Sequence, residues 1–155
     1  MTTRKQTAPP LPTRFSGPAE SPGFLLWRVS NAWQRRQRAA LQPLGLTHSQ
    51  FVILACATWF GEKEPLTQAR IGELTGVDPM TTSQVVRSLE SLKYLTRHQH
   101  PDDPRAKLIA VTSAGGALAQ KAVVVVEETD AAFFRPVGND AGGLVKLLQT
   151  LAGDG

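Results

Sequence analysis

Between its prolines the chain keeps returning to one pattern, apolar residues spaced three or four apart, and each repeat of it predicts a helix. From Phe24 to about Gln42, Leu26, Val29, Trp33 and Ala40 recur near the helical period, Arg35, Arg36 and Arg38 gather late, and Pro43 stops the run. Leu44-Gly45-Leu46 turns the chain. Thr47 and Gln50 then form a capping box for a second helix, Phe51 to Phe60, which is apolar nearly all round and is expected to be buried. After a polar break from Gly61 to Pro65, Thr67 caps a short helix, Gln68 to Thr75, closed by Gly76. Asp78-Pro79 supplies a cap and a first-turn proline for a fourth helix running to about Lys93. On it Val85, Leu89 and Leu92 share one side; Met80, Ser83, Arg87 and Ser91 share the other, with Gln84 at its margin. Leu95 to His98 and Lys107 to Val111 read as two short strands around a loop holding Pro101 and Pro104, hence a hairpin with a long tip. Thr112-Ser113 open a long helix to about Arg135, and after Pro136 either Asn139 or Asp140 caps a final helix ending at Ala152.

The remainder of the chain reads differently. Five of the eleven prolines fall within the first 22 residues, where apolar positions are sparse, so residues 1–22 are expected to be a flexible tail and 23–155 a single folded unit. A length of 155 residues with 41% hydrophobic content suits one such unit with a real core. The lone cysteine, Cys56, rules out an internal disulfide and a cysteine-rich zinc site; lying in an apolar helix, it is expected to pack rather than react. No run approaches the roughly 18 apolar residues that span a bilayer, and the N-terminus lacks the apolar stretch of a signal peptide. A cytoplasmic protein with no membrane partner is therefore expected.

Two short helices joined by a turn at Gly76, with small Gly72 where they cross, make a helix-turn-helix, and the hairpin that follows would be its wing. The fold class expected is mainly α with a small β-hairpin wing and about six helices. On double-stranded DNA the second of the two helices would enter the major groove, so Thr81, Thr82, Ser83, Gln84 and Arg87 are candidates for base edges and flanking phosphates. Arg105 at the hairpin tip would enter the adjacent minor groove. Arg97 and Lys107 complete the basic set. Taken alone, a face of Thr, Ser and Gln is equally consistent with plain solvation of an amphipathic helix.

Gly45-Leu46-Thr47-x-x-Gln50-Phe51, Leu66-Thr67-Gln68, Gly76-Val77-Asp78-Pro79, Leu89-Glu90, Arg97, Asp103-Pro104-Arg105 and Val111-Thr112-x-x-Gly115 resemble, in order and spacing, the MarR family of transcriptional regulators over roughly residues 23 to 135. The resemblance implies a homodimer built by the first helix (about 23–43) and the last two (about 113–152), with winged helices (about 47–112) on a pseudo-palindromic operator. It also implies a repressor released by a small, often aromatic effector. Phe24, Trp27 and Trp59 are the candidates for an effector pocket, against a background expectation that most aromatics here pack the core or a dimer. Lys93-Tyr94-Leu95 departs from the family, which commonly has a glycine before the strand. Thr82 stands where an inward aliphatic residue is usual. The hydroperoxide-sensing branch carries its reactive cysteine in the first helix, where this chain has none.

Other chemistry is thin. His98 and His100 with Asp102 and Asp103 fall short of a convergent ligand set with a supporting shell, so neither metal nor cofactor is expected. No serine, histidine and acid share a recognisable catalytic motif, and an enzyme is not expected. The rival reading is a winged-helix module for protein–protein assembly that lacks an effector. Charge does not decide between them. The net +4 resolves into seven basic and one acidic residue over 1–46, seven of each over 47–112, and three basic against five acidic over 113–155. The DNA-reading segment is electrically neutral, and its case rests on where individual cations point.

Overall fold

The computed structural model describes residues 10–154, so positions 1–9 of the expected tail lie outside the described residues. Within 10–22 the chain already forms a 3-10 turn at Pro18–Glu20, and helix α1 spans Pro22–Leu41. Ser21 Oγ accepts the Phe24 amide at 3.3 Å at the start of this helix, whose first residue is a proline. Two compact units divide between Arg35 and Arg36. In the first, α1 leaves Phe24, Leu25, Leu26, Trp27 and Val29 exposed.

The second unit is organised around α2 (His48–Gly61), which packs against α3 (Gln68–Thr75), α4 (Pro79–Ser91), α5 (Ser113–Phe134) and strand β3 (Lys107–Val111). The capping box forms as expected, Thr47 Oγ1 accepting the Gln50 amide at 3.1 Å and Gln50 Oε1 accepting the Thr47 amide at 2.9 Å. Burial of α2 on every side does not occur. Phe51, Ile53, Leu54 and Ala57 are buried, but Trp59 is 66% exposed, because the packed neighbours cover only part of the helix surface.

Strand β3 is central in a three-stranded antiparallel sheet, paired on one side with β2 (Leu95–Gln99) and on the other with β1 (Leu66–Thr67). The hairpin matches expectation, with Leu95 opposite Val111 and Gln99 opposite Lys107. Strand β1 was not anticipated, since two residues carry no period. Leu66 faces Ile109 and Thr67 faces Leu108, and Thr67 then caps α3 by accepting the Arg70 amide at 3.1 Å.

Helices α3 and α4 cross at Gly72. A Cβ there would lie 3.2 Å from Thr82 Oγ1 and 3.3 Å from Val77 O, so the crossing is as close as the sequence suggested. Thr112 caps α5 with its Oγ1 accepting the Gly115 amide at 3.0 Å. Gly115 is buried against the backbone of Tyr94, where a Cβ would collide with the Tyr94 carbonyl oxygen. Farther along α5, buried Gln37 of α1 donates from Nε2 to Asp130 Oδ1 at 2.7 Å and to the Val126 carbonyl at 3.3 Å.

A 3-10 segment, Arg135–Asp140, leads to α6 (Ala141–Ala152). The cap expected at its start is absent. Asp140, with φ −82° and ψ 2°, is still part of the preceding turn and makes no side-chain cap bond. No residue of α6 is buried, and Val145, Leu147, Leu148 and Leu151 face outward.

Candidate nucleic-acid interface

The turn from α3 into α4 is built by Asp78. Its Oδ1 accepts the Thr81 amide at 2.9 Å, and hydrogen bonds from the Thr81 side chain and backbone hold the carboxyl below its ordinary value. Pro79 opens α4, and the inward side is set by Thr82, Val86 and Leu89, all buried. Thr82 is the correction to the expected base-reading set. It is 1% exposed, and its hydroxyl donates back to Val77 O at 3.2 Å and Asp78 O at 2.9 Å, leaving it no reach toward solvent. Leu92, expected on the inward side with Leu89, is instead the partly exposed residue that ends the helix.

Opposite Thr82 the helix presents Met80, Gln84 and Arg87 to solvent, with Ser83 and Thr81 half-buried beside them. Ser88 sits nearer the core and is held by Gln50, whose Nε2 donates to its Oγ at 3.1 Å. Arg97 behaves differently from the other cations. Its Nε donates to Glu90 Oε2 at 3.2 Å, tying β2 to α4. Arg70 likewise pairs with Glu64 and Glu73, whereas Arg87, Arg105 and Lys107 enter no such ion pair among the described residues.

The wing tip is shaped by Asp103. Its Oδ1 accepts the Arg105 amide at 2.9 Å and its carbonyl accepts the Ala106 amide at 3.1 Å. Arg105 and Lys107 are exposed beyond it. Because Thr67 pairs with Leu108, the first turn of α3 lies beside the base of the wing, and a groove of about 590 Å³ is lined by Thr67, Gln68, Gly72, Asp78, Arg105 and Lys107. Gln68 was not among the sequence candidates. Its Oε1 is buried without a hydrogen-bond partner, and only the unforeseen β1 pairing brings it next to the wing.

The wing histidines are engaged locally: His98 Nε2 lies 3.0 Å from Thr96 Oγ1, and His100 Nδ1 accepts the Asp102 amide at 3.1 Å. No group of three or more His, Cys, Asp or Glu able to hold a metal occurs among the described residues. Cys56 is half-buried, and burial pushes its thiol up from the ordinary value in spite of Arg70.

Of the effector candidates, Trp59 lies in a recess of about 670 Å³ between α2 and α5, lined also by Thr58, Lys63, Gln120, Val123 and Glu127. Lys63 Nζ stands 4.9 Å from the Trp59 ring centre, a cation–π contact. Phe24 and Trp27 are exposed on α1.

A helix-turn-helix followed at once by a hairpin, with polar and cationic groups on the outward side of the second helix, defines a winged-helix DNA-binding protein. The MarR family signature matches residues 46–107. The chain is 38% identical over 141 residues, 88% of itself and 96% of the relative, to YdcH, an uncharacterized HTH-type transcriptional regulator of Bacillus subtilis. It is 33% identical over 109 residues, 70% of itself and 76% of the relative, to an HTH-type transcriptional repressor of Mycobacterium tuberculosis. Among solved structures, that of CouR from Rhodococcus jostii bound to p-coumaroyl-CoA superposes with a TM-score of 0.77 at 26% identity, covering 89% of this chain and 96% of that one. The protein belongs to the MarR family of transcriptional regulators.

Proposed function

We propose that the protein is a homodimeric repressor that binds a pseudo-palindromic operator and is released by a small effector, with α4 in the major groove and the wing in the minor groove. The observation that carries this reading is the outward stripe of α4, where Ser83, Gln84 and Arg87 stand opposite buried Thr82, Val86 and Leu89. Gln84 suits adenine, and Arg87 suits guanine or a phosphate. Arg105 and Lys107, free of internal ion pairs, are assigned to the minor groove and the flanking backbone. Arg97 is assigned to holding β2 on α4 through Glu90.

The winged helix-turn-helix is assigned to about 47–112 and dimerisation to the helices at about 23–43 and 113–152. Support for the latter is the apolar surface that α6 and the start of α1 each leave uncovered in the single chain. The Trp59 recess is the proposed effector seat, with Phe24 and Trp27 as further candidates. CouR's p-coumaroyl-CoA and the aromatic wall of the recess favour an aromatic acid or its thioester. No helix of the described residues is long and apolar enough to cross a membrane. We place the protein in the cytoplasm and assign it binding rather than catalysis.

The deciding experiment is selection of duplexes from a genomic fragment pool, followed by affinity measurement on the winner and on random sequence. A specific duplex bound far more tightly than random DNA is expected, and failure to enrich any sequence would refute the reading. A screen of aromatic acids and acyl thioesters by thermal shift, then by operator release, tests the effector, because a ligand selective for the native state raises its apparent stability.

A further inference from the structure

Met80 is the member of the α4 stripe that polar chemistry does not explain. Its side chain is 72% exposed at the second position of the helix. The helical period places Gln84 and Arg87 within roughly 40° of it, and Thr82 and Leu89 on the reverse side. A large thioether chain thus stands at the N-terminal end of the stripe that would meet DNA, with no apolar neighbour on that stripe. The base edges in the major groove carry one apolar group, the 5-methyl of thymine. An unbranched, polarisable methionine side chain adapts readily to such a contact.

We propose that Met80 is a specificity-determining residue that packs on the 5-methyl group of a thymine in the major groove, beside the base read by Gln84. The inference rests on the operator-binding reading above. Its test begins with the duplex selected there, whose thymines are replaced one at a time by deoxyuridine. That change removes the methyl group and leaves the hydrogen-bonding edge intact. The wild-type protein is expected to lose about fourfold in affinity at one thymine of each half-site, the worth of one buried methylene-sized contact. Met80→Ala is expected to bind the thymine and uracil duplexes equally while keeping wild-type affinity for random DNA, which also shows that it is folded. Wild-type protein indifferent to every methyl overturns the proposal, whatever the variant does, and so does a variant that keeps the full methyl preference. Wild-type protein that selects no duplex overturns the operator reading and this inference with it.

Discussion

Around the exit of α4 a few atoms hold three segments together. Thr112 Oγ1 donates to the Lys93 carbonyl at 2.7 Å while accepting the Gly115 amide, and the Thr112 amide donates to Tyr94 O at 3.1 Å. Lys93 itself has φ +67°, the left-handed region, where a Cβ costs about 1–2 kcal/mol. Lys93→Gly removes that strain and gives back part of the gain through its looser unfolded chain, so a net increase of about 0.5–1 kcal/mol is expected in denaturant melts. Gly115→Ala is expected to lower stability by about 1–3 kcal/mol or more, since Tyr94 O would have to yield to the added methyl. His48 supplies a pH effect. Burial depresses its imidazole pKa, Arg38 acting in the same sense and Asp130 opposing. A base so depressed binds its proton less tightly when folded, so its contribution is intact above the unfolded value of about 6.5 and is lost as pH falls through the folded one. Urea melts across this range should show a decline that is smaller in His48→Gln.

The helices announce themselves in the sequence through their ends. Thr47, Thr67, Asp78 and Thr112 all cap as read, because each side chain satisfies an amide that the helix itself cannot. Thr47→Ala should cost about 1 kcal/mol in a melt without altering the fold. What periodicity missed has equally physical causes. Strand β1 is too short to alternate, the Arg135–Asp140 turn withdrew Asp140 from capping, and the run from Phe51 to Phe60 gave no sign of which side stays open. The exposed stripe of α4 was legible from spacing, Thr82 excepted. The helical period sets Thr82 on the reverse side with Leu89, and its hydroxyl, which made it a base-reading candidate, is used up by back-bonding to Val77 and Asp78. Gln68 could not be assigned at all without the β1 pairing that places it beside the wing.

For the molecule as a whole, charge matters by place. Seven of the 17 basic residues lie in residues 1–46, whereas 47–112 is neutral. Operator affinity should still fall steeply with salt, because each neutralised phosphate releases counterions. Arg105→Ala is expected to weaken binding on all sequences and to reduce the salt slope by about one, whereas Arg87→Ala should also relax preference at one position of each half-site. Equal losses for Arg87→Ala on operator and random duplex would assign Arg87 to phosphate alone. Removing residues 1–20 tests the remaining excess: a shallower salt slope is expected if Arg4, Lys5 and Arg14 reach the backbone. The smallest element of the fold also acts at this scale. Strand β1 joins the first turn of α3 to the middle of the sheet that carries the wing, so the register of Leu66 and Thr67 against Ile109 and Leu108, together with the Arg97–Glu90 pair between β2 and α4, fixes where the helix pair stands against the wing. In the proposed complex that spacing sets the stretch of duplex the two would span.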